Sequence, residues 1–207
     1  MLKVLGRASS INVRKVLWTC AEIGLPFERE DWGPGFRPTR DPVFTALNPN
    51  ALVPVAIEGE FALWESNTIC RWLSAEHGRS DLLPALPRER ADVERWMDWQ
   101  LGELNNAWRP AFMGLVRKSA KHQDAAAIAD SASAWNDLMA LLDAQLGRGA
   151  PFVCGPAFTL ADVVLGLSAH RWYATPIARP PLVALRAWYE RVKARAAFVA
   201  QGCGEHP

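Results

Sequence analysis

The sequence lacks a strong charge of either sign. Its 23 Lys and Arg residues nearly balance 22 Asp and Glu residues, which gives a formal net charge of +1. A charge this small gathers neither nucleic acid nor an anionic membrane surface, so we expect neither as a partner. No apolar run approaches the roughly 18 residues that suggest a membrane span. The first residues also lack the apolar stretch of a secretory signal, which favours a cytoplasmic protein.

Cysteine is scarce and scattered. Cys20, Cys70, Cys154 and Cys203 form no C-x-x-C pair and have no nearby histidine. Metal centres and dithiol redox sites need closely spaced ligands, so we expect no metal and four ordinary reduced thiols. The chain has 207 residues, 50% of them hydrophobic, which is enough for one large domain or two small ones with buried cores.

The first 80 residues alternate between short strand patterns and helical patterns. The first helix is indicated by apolar positions at steps of three and four, and Gly24 ends it. The first strand, this helix and the second strand predict a right-handed β-α-β unit, and two later strands predict a hairpin. This order is typical of a thioredoxin-like α/β domain. The strands are predicted at residues 2–5, 27–31, 53–57 and 61–64, and the helices at about 13–23 and 66–77.

From about residue 88 onward the pattern is helical almost throughout. In the first long helix Pro110 removes a backbone donor, so we expect a kink there. Thr159 and Asp162 form a capping box, which marks a helix start. Further helices are predicted at about 124–146 and 182–195. Residues after the first domain therefore predict an all-α helical bundle.

The domain boundary is predicted in a segment rich in proline. Residues 81–87 include two prolines and follow Gly78, which is typical of a linker. We therefore divide the chain into a thioredoxin-like domain at 1–80, a linker at 81–87 and an all-helical domain at 88–207.

A proline motif precedes the third strand. Residues 48–54 read Asn-Pro-Asn-Ala-Leu-Val-Pro. A cis bond at Val53–Pro54 would turn the backbone outward, so that an extended peptide could pair with it as an added strand. The alternative is an ordinary turn that enters an edge strand, where proline is common.

A second motif lies at the start of the helix after the hairpin. Ser66 is placed at a helix N-terminus, where free N–H groups and the helix dipole favour a carboxylate. Glu65 beside it offers an anion to an ammonium group, so one turn could bind a zwitterion. The alternative is that Ser66 only caps the helix.

A third motif is the polar turn before the first helix. Ser9, Ser10 and Asn12 supply hydroxyl and amide donors close to a helix N-terminus. They could hydrogen-bond a bound ligand, or they could serve only to cap the helix.

These three motifs, within this two-domain order, resemble the soluble glutathione S-transferases, specifically the bacterial Ser-type, theta- and nu-like members. The resemblance covers nearly the whole chain. It implies glutathione as a cosubstrate and no metal cofactor. It also implies that Val53, ahead of a cis Pro54, pairs with the cysteinyl backbone of glutathione. Glu65 and Ser66 then hold the γ-glutamyl group.

The resemblance further implies that a hydroxyl in the first turn stabilises the glutathione thiolate. Ser10 aligns with the serine of theta-like members, and Asn12 matches the asparagine of nu-like members. Lowering a thiol pKa by about two units requires about 2.7 kcal/mol of preferential thiolate stabilisation. A hydrogen bond to a charged acceptor together with the helix N-terminus could supply this energy. We favour Ser10, keep Asn12 as the alternative and place Ser9 third.

Two departures from other family members guide the interpretation. Neither Cys nor Tyr occupies the first turn, which disfavours disulfide-exchange chemistry and excludes the Tyr-type subgroup. Leu52 stands where theta- and nu-like members often carry lysine. The glycyl carboxylate of glutathione must then bind elsewhere, and Arg37 and Arg40 are the candidates.

The electrophile is expected against the long helix of the second domain. Trp108 and Phe112 share one helical face, with Arg109 and Arg117 nearby to polarise an anionic or halogenated electrophile. Aromatic stripes at helical spacing are usually core, however, and exposed arginines are usually solvated.

We therefore predict a cytoplasmic glutathione S-transferase. The resemblance implies that it takes part in detoxification and that it is a homodimer, in which the N-terminal domain of one chain meets the helical domain of the other. It would activate glutathione as a thiolate for conjugation with, or substitution on, an apolar or halogenated electrophile. Two alternatives are a glutathione-dependent peroxidase or disulfide oxidoreductase, and a non-catalytic glutathione-binding interaction module.

Overall fold

The computed structural model describes residues 1–202. Two compact units are present: Arg88–Lys193, and Met1–Pro87 together with the described residues from Ala194 onward. The sequence instead predicted that residues 194–202 belong to the helical domain. They join the first unit because Phe198 packs edge-on against Trp18, with ring centroids 4.9 Å apart. The remaining residues of that predicted domain, 203–207, lie outside the described residues.

The first unit has the thioredoxin-like order that the sequence predicted. The strand order is β2-β1-β3-β4; β1 is parallel to β2 and antiparallel to β3, and β3 is antiparallel to β4. Each predicted strand and helix is confirmed to within about two residues at either end. The elements are β1 (Leu2–Leu5), α1 (Ile11–Ile23), β2 (Phe27–Glu30), α2 (Pro42–Thr45), β3 (Val55–Glu58), β4 (Phe61–Trp64) and α3 (Ser66–Glu76).

Two glycines shape the chain around α1. Gly6 follows β1 with φ +145, and a Cβ there would lie 2.5 Å from Cγ2 of Val13. Only glycine therefore allows the turn before α1 to approach the helix this closely. Gly24 ends α1 in the left-handed conformation, with φ 77. Together they fix where α1 begins and ends relative to the sheet.

The second unit is all-helical, as predicted. Asp124 caps α6 by accepting hydrogen bonds from the backbone N–H groups of Ala126 and Ala127. The predicted capping box at the start of α7 is present. None of the described helices combines the length and apolar character that crossing a membrane would need. The helices are α4 (Pro87–Trp99), α5 (Asn105–Leu115), α6 (Ala125–Leu146), α7 (Leu160–Ala174) and α8 (Val183–Lys193).

The first long helix departs from α geometry before its proline. Residues Gln100–Leu104 form a π-helical segment between α4 and α5, whereas Pro110 lies inside α5. The buried amide of Gln100 donates to Oδ1 of Asn105 at 2.9 Å and to Oγ of Ser168 at 3.1 Å. The backbone N–H of Asn105 donates to the carbonyl of Gln100, five residues earlier, which is the spacing of a π-helix. The amide side chain of Gln100 joins the start of this segment to α7.

Candidate active site

One cleft in the first unit brings together the three motifs of the sequence. It lies at the starts of α1 and α3 and beside the chain that enters β3. Residues from positions 12, 48–54 and 65–66 meet here, although up to 54 positions separate them in the sequence. Its lining residues are Asn12, Asn48, Asn50, Leu52, Val53, Pro54, Glu65 and Ser66.

The wall before β3 is organised by a buried asparagine. The Val53–Pro54 peptide bond is cis. Asn48 is 2% exposed, and its amide donates to the carbonyl of Leu52 at 2.7 Å. Its Oδ1 accepts from the backbone N–H of Asn50 at 3.0 Å. These bonds fix the loop that presents Val53, a role the sequence did not reveal because asparagine is common in any turn.

The opposite wall is the first turn of α3. Glu65 has φ 74 and ψ 106, a left-handed conformation that is rare for a residue with a side chain. Its carbonyl accepts from the N–H of Ile69 at 2.9 Å, so the helix begins directly after it. Ser66 is 3% exposed. A buried serine, the N-terminus of α3 and an exposed carboxylate therefore stand side by side.

The first turn of α1 contributes Asn12 directly. Ser10 is the N-cap residue, with extended backbone, but its side chain makes no capping hydrogen bond. Asn12 lines the cleft, and its buried Oδ1 has no partner among the described residues. Because a buried polar atom without a partner is costly, Oδ1 of Asn12 is suited to accept a hydrogen bond from a ligand. Ser10 lies two residues earlier and is not among the lining residues.

The two arginines expected to hold a carboxylate do not line the cleft. Arg37 forms an ion pair with Glu30 and lies over the Trp32 ring, 4.1 Å from its centroid. Arg40 is exposed and makes no ion pair within residues 1–202. Among the lining residues, Asn48 and Asn50 carry amide side chains close in sequence to Leu52.

The described cysteines are poor candidates for chemistry. Burial raises the pKa of the Cys20 thiol to about 12 and that of the Cys70 thiol to about 11. Burial also raises the pKa of the Cys154 thiol to about 12. All three therefore stay protonated near neutral pH, and a thiol rather than a thiolate is a weak nucleophile. Cys203 lies outside the described residues.

In the helical unit the predicted aromatic pair is almost fully buried. Trp108 is 7% exposed and Phe112 is 2% exposed. The guanidinium of Arg171 lies over both rings, 4.5 Å and 4.0 Å from their centroids. Arg117 lies 5.3 Å from the Phe112 centroid, and Arg109 is exposed. The structure thus adds Arg171, which is distant in sequence, to the predicted group.

A cavity of about 480 Å³ opens elsewhere in the helical unit, between α4 and α6. The rings of Trp96 and Trp99 meet edge-on in its wall, 5.2 Å apart. The indole N–H of Trp96 is buried and has no partner among residues 1–202. The lining residues are Arg95, Trp96, Trp99, Leu141, Ala144, Gln145 and Arg148.

Comparisons with known proteins agree on one family. The family model "Glutathione S-transferase, N-terminal domain" matches residues 9–76. Glutathione S-transferase GstB of Escherichia coli strain K12 is 38% identical over 199 residues, which cover 95% of each chain. Glutathione S-transferase 3 of Zea mays is 33% identical over 205 residues. That match covers 95% of this chain and 91% of the Zea mays protein.

A solved structure matches the whole chain as well. It is the theta class glutathione S-transferase from the citrus canker pathogen Xanthomonas axonopodis pv. citri, with glutathione bound. The TM-score is 0.94 at 36% identity, over 100% of this chain and 99% of that chain. The resemblance inferred from the sequence motifs is confirmed. With this identity over nearly the full length of its relatives, the protein belongs to the glutathione S-transferase family.

Proposed function

We propose that the cleft at the starts of α1 and α3 binds glutathione and presents its sulfur as a thiolate. The observation that carries this proposal is the meeting of Glu65, Ser66, Asn12 and Val53 in one cleft. Glu65 binds the γ-glutamyl ammonium, and Ser66 with its helix N-terminus binds the γ-glutamyl carboxylate. The backbone of Val53, ahead of Pro54, pairs with the cysteinyl residue.

The thiolate is stabilised from the first turn of α1. Ser10 does not use its hydroxyl to cap the helix, so this donor is available to the sulfur. Asn12 lines the cleft, and the N–H of its amide is the alternative donor. Either donor acts together with the positive end of α1, and no metal is required. The glutathione thiolate then attacks the electrophile, by addition or by displacement of a leaving group such as halide.

Ser10→Ala raises the kinetic pKa of bound glutathione by about one unit or more, because the thiolate loses a charged hydrogen bond. The dissociation constant for glutathione stays within a few-fold, since the other contacts remain. The pH–rate profile of conjugation with a chloronitrobenzene measures the first quantity, and calorimetry measures the second.

Two further variants decide between the donors. Ser9→Ala is the control in the same turn, and we expect its profile to match the wild type. If the Ser10→Ala profile also does not move, Ser10 is rejected as the thiolate donor. A shift in Asn12→Ala alone would then assign that role to Asn12.

The glycyl carboxylate has two possible sets of partners. Arg40 makes no ion pair among residues 1–202, whereas the head of Arg37 already contacts Glu30. We therefore place Arg40 ahead of Arg37 as the cationic partner. Asn48 and Asn50 line the cleft and supply amide donors in place of the lysine that Leu52 replaces.

The electrophile is assigned to the helical unit, at Trp108, Phe112, Arg109 and Arg117. Arg117 and Arg171 both face the Phe112 ring, so this region favours an apolar electrophile that carries negative charge or a halogen. Parallel assays with a chloronitrobenzene, a haloacid and a hydroperoxide separate transferase from peroxidase activity. Glutathione binding without turnover of any of them would indicate a binding module.

We further propose that the protein is a cytoplasmic homodimer in which the first unit of one copy meets the helical unit of the other. Exposed apolar side chains support this on each unit: Phe61 and Trp64 are 49% and 37% exposed, and Leu141 is 48% exposed beside Trp96 and Trp99. Contiguous exposed apolar side chains commonly mark interfaces, and on the helical unit Leu141 lies in one cavity wall with Trp96 and Trp99.

Leu141→Arg is expected to yield the monomer, because a charge placed in this patch would be buried unpaired in the dimer. Light scattering should give the chain mass of 22.9 kDa instead of twice that value. Leu101→Arg is the matched control, since Leu101 is 41% exposed outside the cavity. A Leu141→Arg variant that stays dimeric would contradict this interface.

A further inference from the structure

A buried lysine connects the two helices that start at the cleft. Lys15 lies on α1 and is fully buried, with 0% exposure. Its Nζ donates to Oδ1 of Asn67 on α3 at 3.0 Å, across 52 positions of sequence. Asn67 is also buried, at 2% exposure. Fully buried lysines are rare, because the ammonium group must leave water, so this contact calls for a functional reason.

Both partners adjoin residues of the cleft. Asn67 directly follows Ser66 in the first turn of α3. Lys15 follows Asn12 by three residues, which places the two side chains on the same face of α1. The Lys15–Asn67 bond therefore sets the spacing between Asn12 on one helix start and Ser66 on the other.

Arg14, next to Lys15 in the sequence, binds the turn that precedes α1. Nε of Arg14 donates to the carbonyl of Ala8 at 2.8 Å, and Arg14 is 5% exposed. This bond holds the turn that carries Ser10. Two consecutive cations thus anchor the turn before α1 and the first turn of α3.

The charge of Lys15 is also felt on α3. Burial raises the pKa of the Cys70 thiol, and the positive charge of Lys15 opposes part of that rise. Cys70 lies one turn beyond Asn67. In the low dielectric of the interior, a charge at this position also favours anionic groups at the two helix N-termini.

We propose that Lys15 is a positioning residue: through Asn67 it fixes the first turn of α3, so that Ser66 and its N–H groups meet the γ-glutamyl carboxylate. The proposal rests on the glutathione site described above. It places the effect in glutathione affinity rather than in the chemical step, because neither Lys15 nor Asn67 touches the sulfur in this scheme.

Lys15→Met puts an unbranched apolar side chain in place of the lysine and removes both the donor and the charge. We expect the dissociation constant for glutathione, measured by calorimetry, to rise about 5- to 30-fold, which is typical of losing a charged hydrogen bond. The kcat at saturating glutathione stays within about twofold. Cys20→Ala, another fully buried site on α1, is the control for a general loss of stability, and its dissociation constant should not change.

Asn67 variants test the route of the effect. Asn67→Ala should weaken binding as Lys15→Met does, and the double variant should be no worse than either single variant, because both remove the same bond. Asn67→Asp keeps an acceptor for Lys15 and should bind within about threefold of the wild type. If Lys15→Met does not fold, Asn67→Ala and Asn67→Asp still test whether the Lys15–Asn67 bond sets the affinity for glutathione.

Three results would overturn the proposal. The first is a wild-type dissociation constant for glutathione in Lys15→Met or Asn67→Ala, and the second is a loss of affinity in the double variant that equals the product of the two single losses. The third is a loss of affinity in Cys20→Ala as large as that in Lys15→Met. Failure of the wild-type protein itself to bind glutathione would instead overturn the proposed function. The two failures are therefore distinguishable in one titration series.

Discussion

Replacing Glu65 by Gln weakens glutathione binding by about 10- to 100-fold, while kcat at saturating glutathione stays within about threefold. The carboxylate of Glu65 is proposed to pair with the γ-glutamyl ammonium, which the amide of Gln cannot do with the same strength. Glu65 lines the cleft, and its side chain makes no capping hydrogen bond to the helix that begins at Ser66. Calorimetric titration with glutathione measures the loss, and steady-state rates measure kcat.

The control for this variant is Glu60→Gln. Glu60 is exposed at the turn between β3 and β4, so the same change in net charge occurs outside the cleft. We expect its dissociation constant to match the wild type, since isolated surface charges contribute little. Equal affinities of Glu65→Gln and the wild-type protein would remove Glu65 from the site.

The single variant Ser66→Ala tests how the carboxylate of the γ-glutamyl zwitterion is bound, as Glu65→Gln tests how its ammonium is bound. Ser66 is proposed to bind the carboxylate, and the helix N–H groups remain when its hydroxyl is removed. We therefore expect a smaller loss than for Glu65→Gln. A loss larger than that of Glu65→Gln would mean that the hydroxyl, rather than the helix N-terminus, holds the carboxylate.

Much of the fold follows from local signals in the sequence. The apolar spacing of α1, the stop at Gly24 and the capping box before α7 depend only on residues within one turn of each other. Such signals act locally, so a single sequence displays them. One motif of the proposed glutathione site was visible for the same reason, because Glu65 and Ser66 are adjacent and form part of a helix start.

Other features depend on partners that are far apart in sequence. The side chain of Gln100, at the start of the π-helical segment, donates to Ser168 on α7. No pattern near Gln100 in the sequence predicts this hydrogen bond. Lys15 and Asn67 are 52 positions apart and each reads as an ordinary polar residue. The same holds for Arg171, which only the packed structure brings over the ring of Trp108.

The carboxyl-terminal boundary of the helical unit also depends on contacts between residues that are far apart in sequence. Helical periodicity continues past α8, so the sequence predicted that these residues remain in the helical domain. Periodicity does not say which surface an apolar face will cover. In the structure the ring of Phe198 packs against Trp18, and the guanidinium of Arg195 donates to both carboxylate oxygens of Glu22, at 2.8 and 2.6 Å.

Asp162→Ala destabilises the protein by about 3 to 5 kcal/mol, the largest loss that we expect from a site outside the cleft. Asp162 is fully buried. One carboxylate oxygen accepts from the N–H of Val153 at 3.1 Å and from Nε1 of Trp188 at 2.8 Å. The other accepts from the N–H of Thr159 at 3.0 Å and from its hydroxyl at 3.2 Å.

Removing this carboxylate leaves four buried donors without their acceptor, and each unsatisfied group costs free energy in the folded state. The bonds join the start of α7 to α8 and to the loop at Val153, so their loss affects three segments of the helical unit together. Urea denaturation followed by tryptophan fluorescence measures the change, because Trp188 itself reports on this region.

Asp130→Ala, at an exposed position on α6, is the control and should change the free energy of unfolding by less than about 0.5 kcal/mol. A loss below about 1 kcal/mol in Asp162→Ala would show that the four donors find other partners, and that the start of α7 does not depend on this carboxylate.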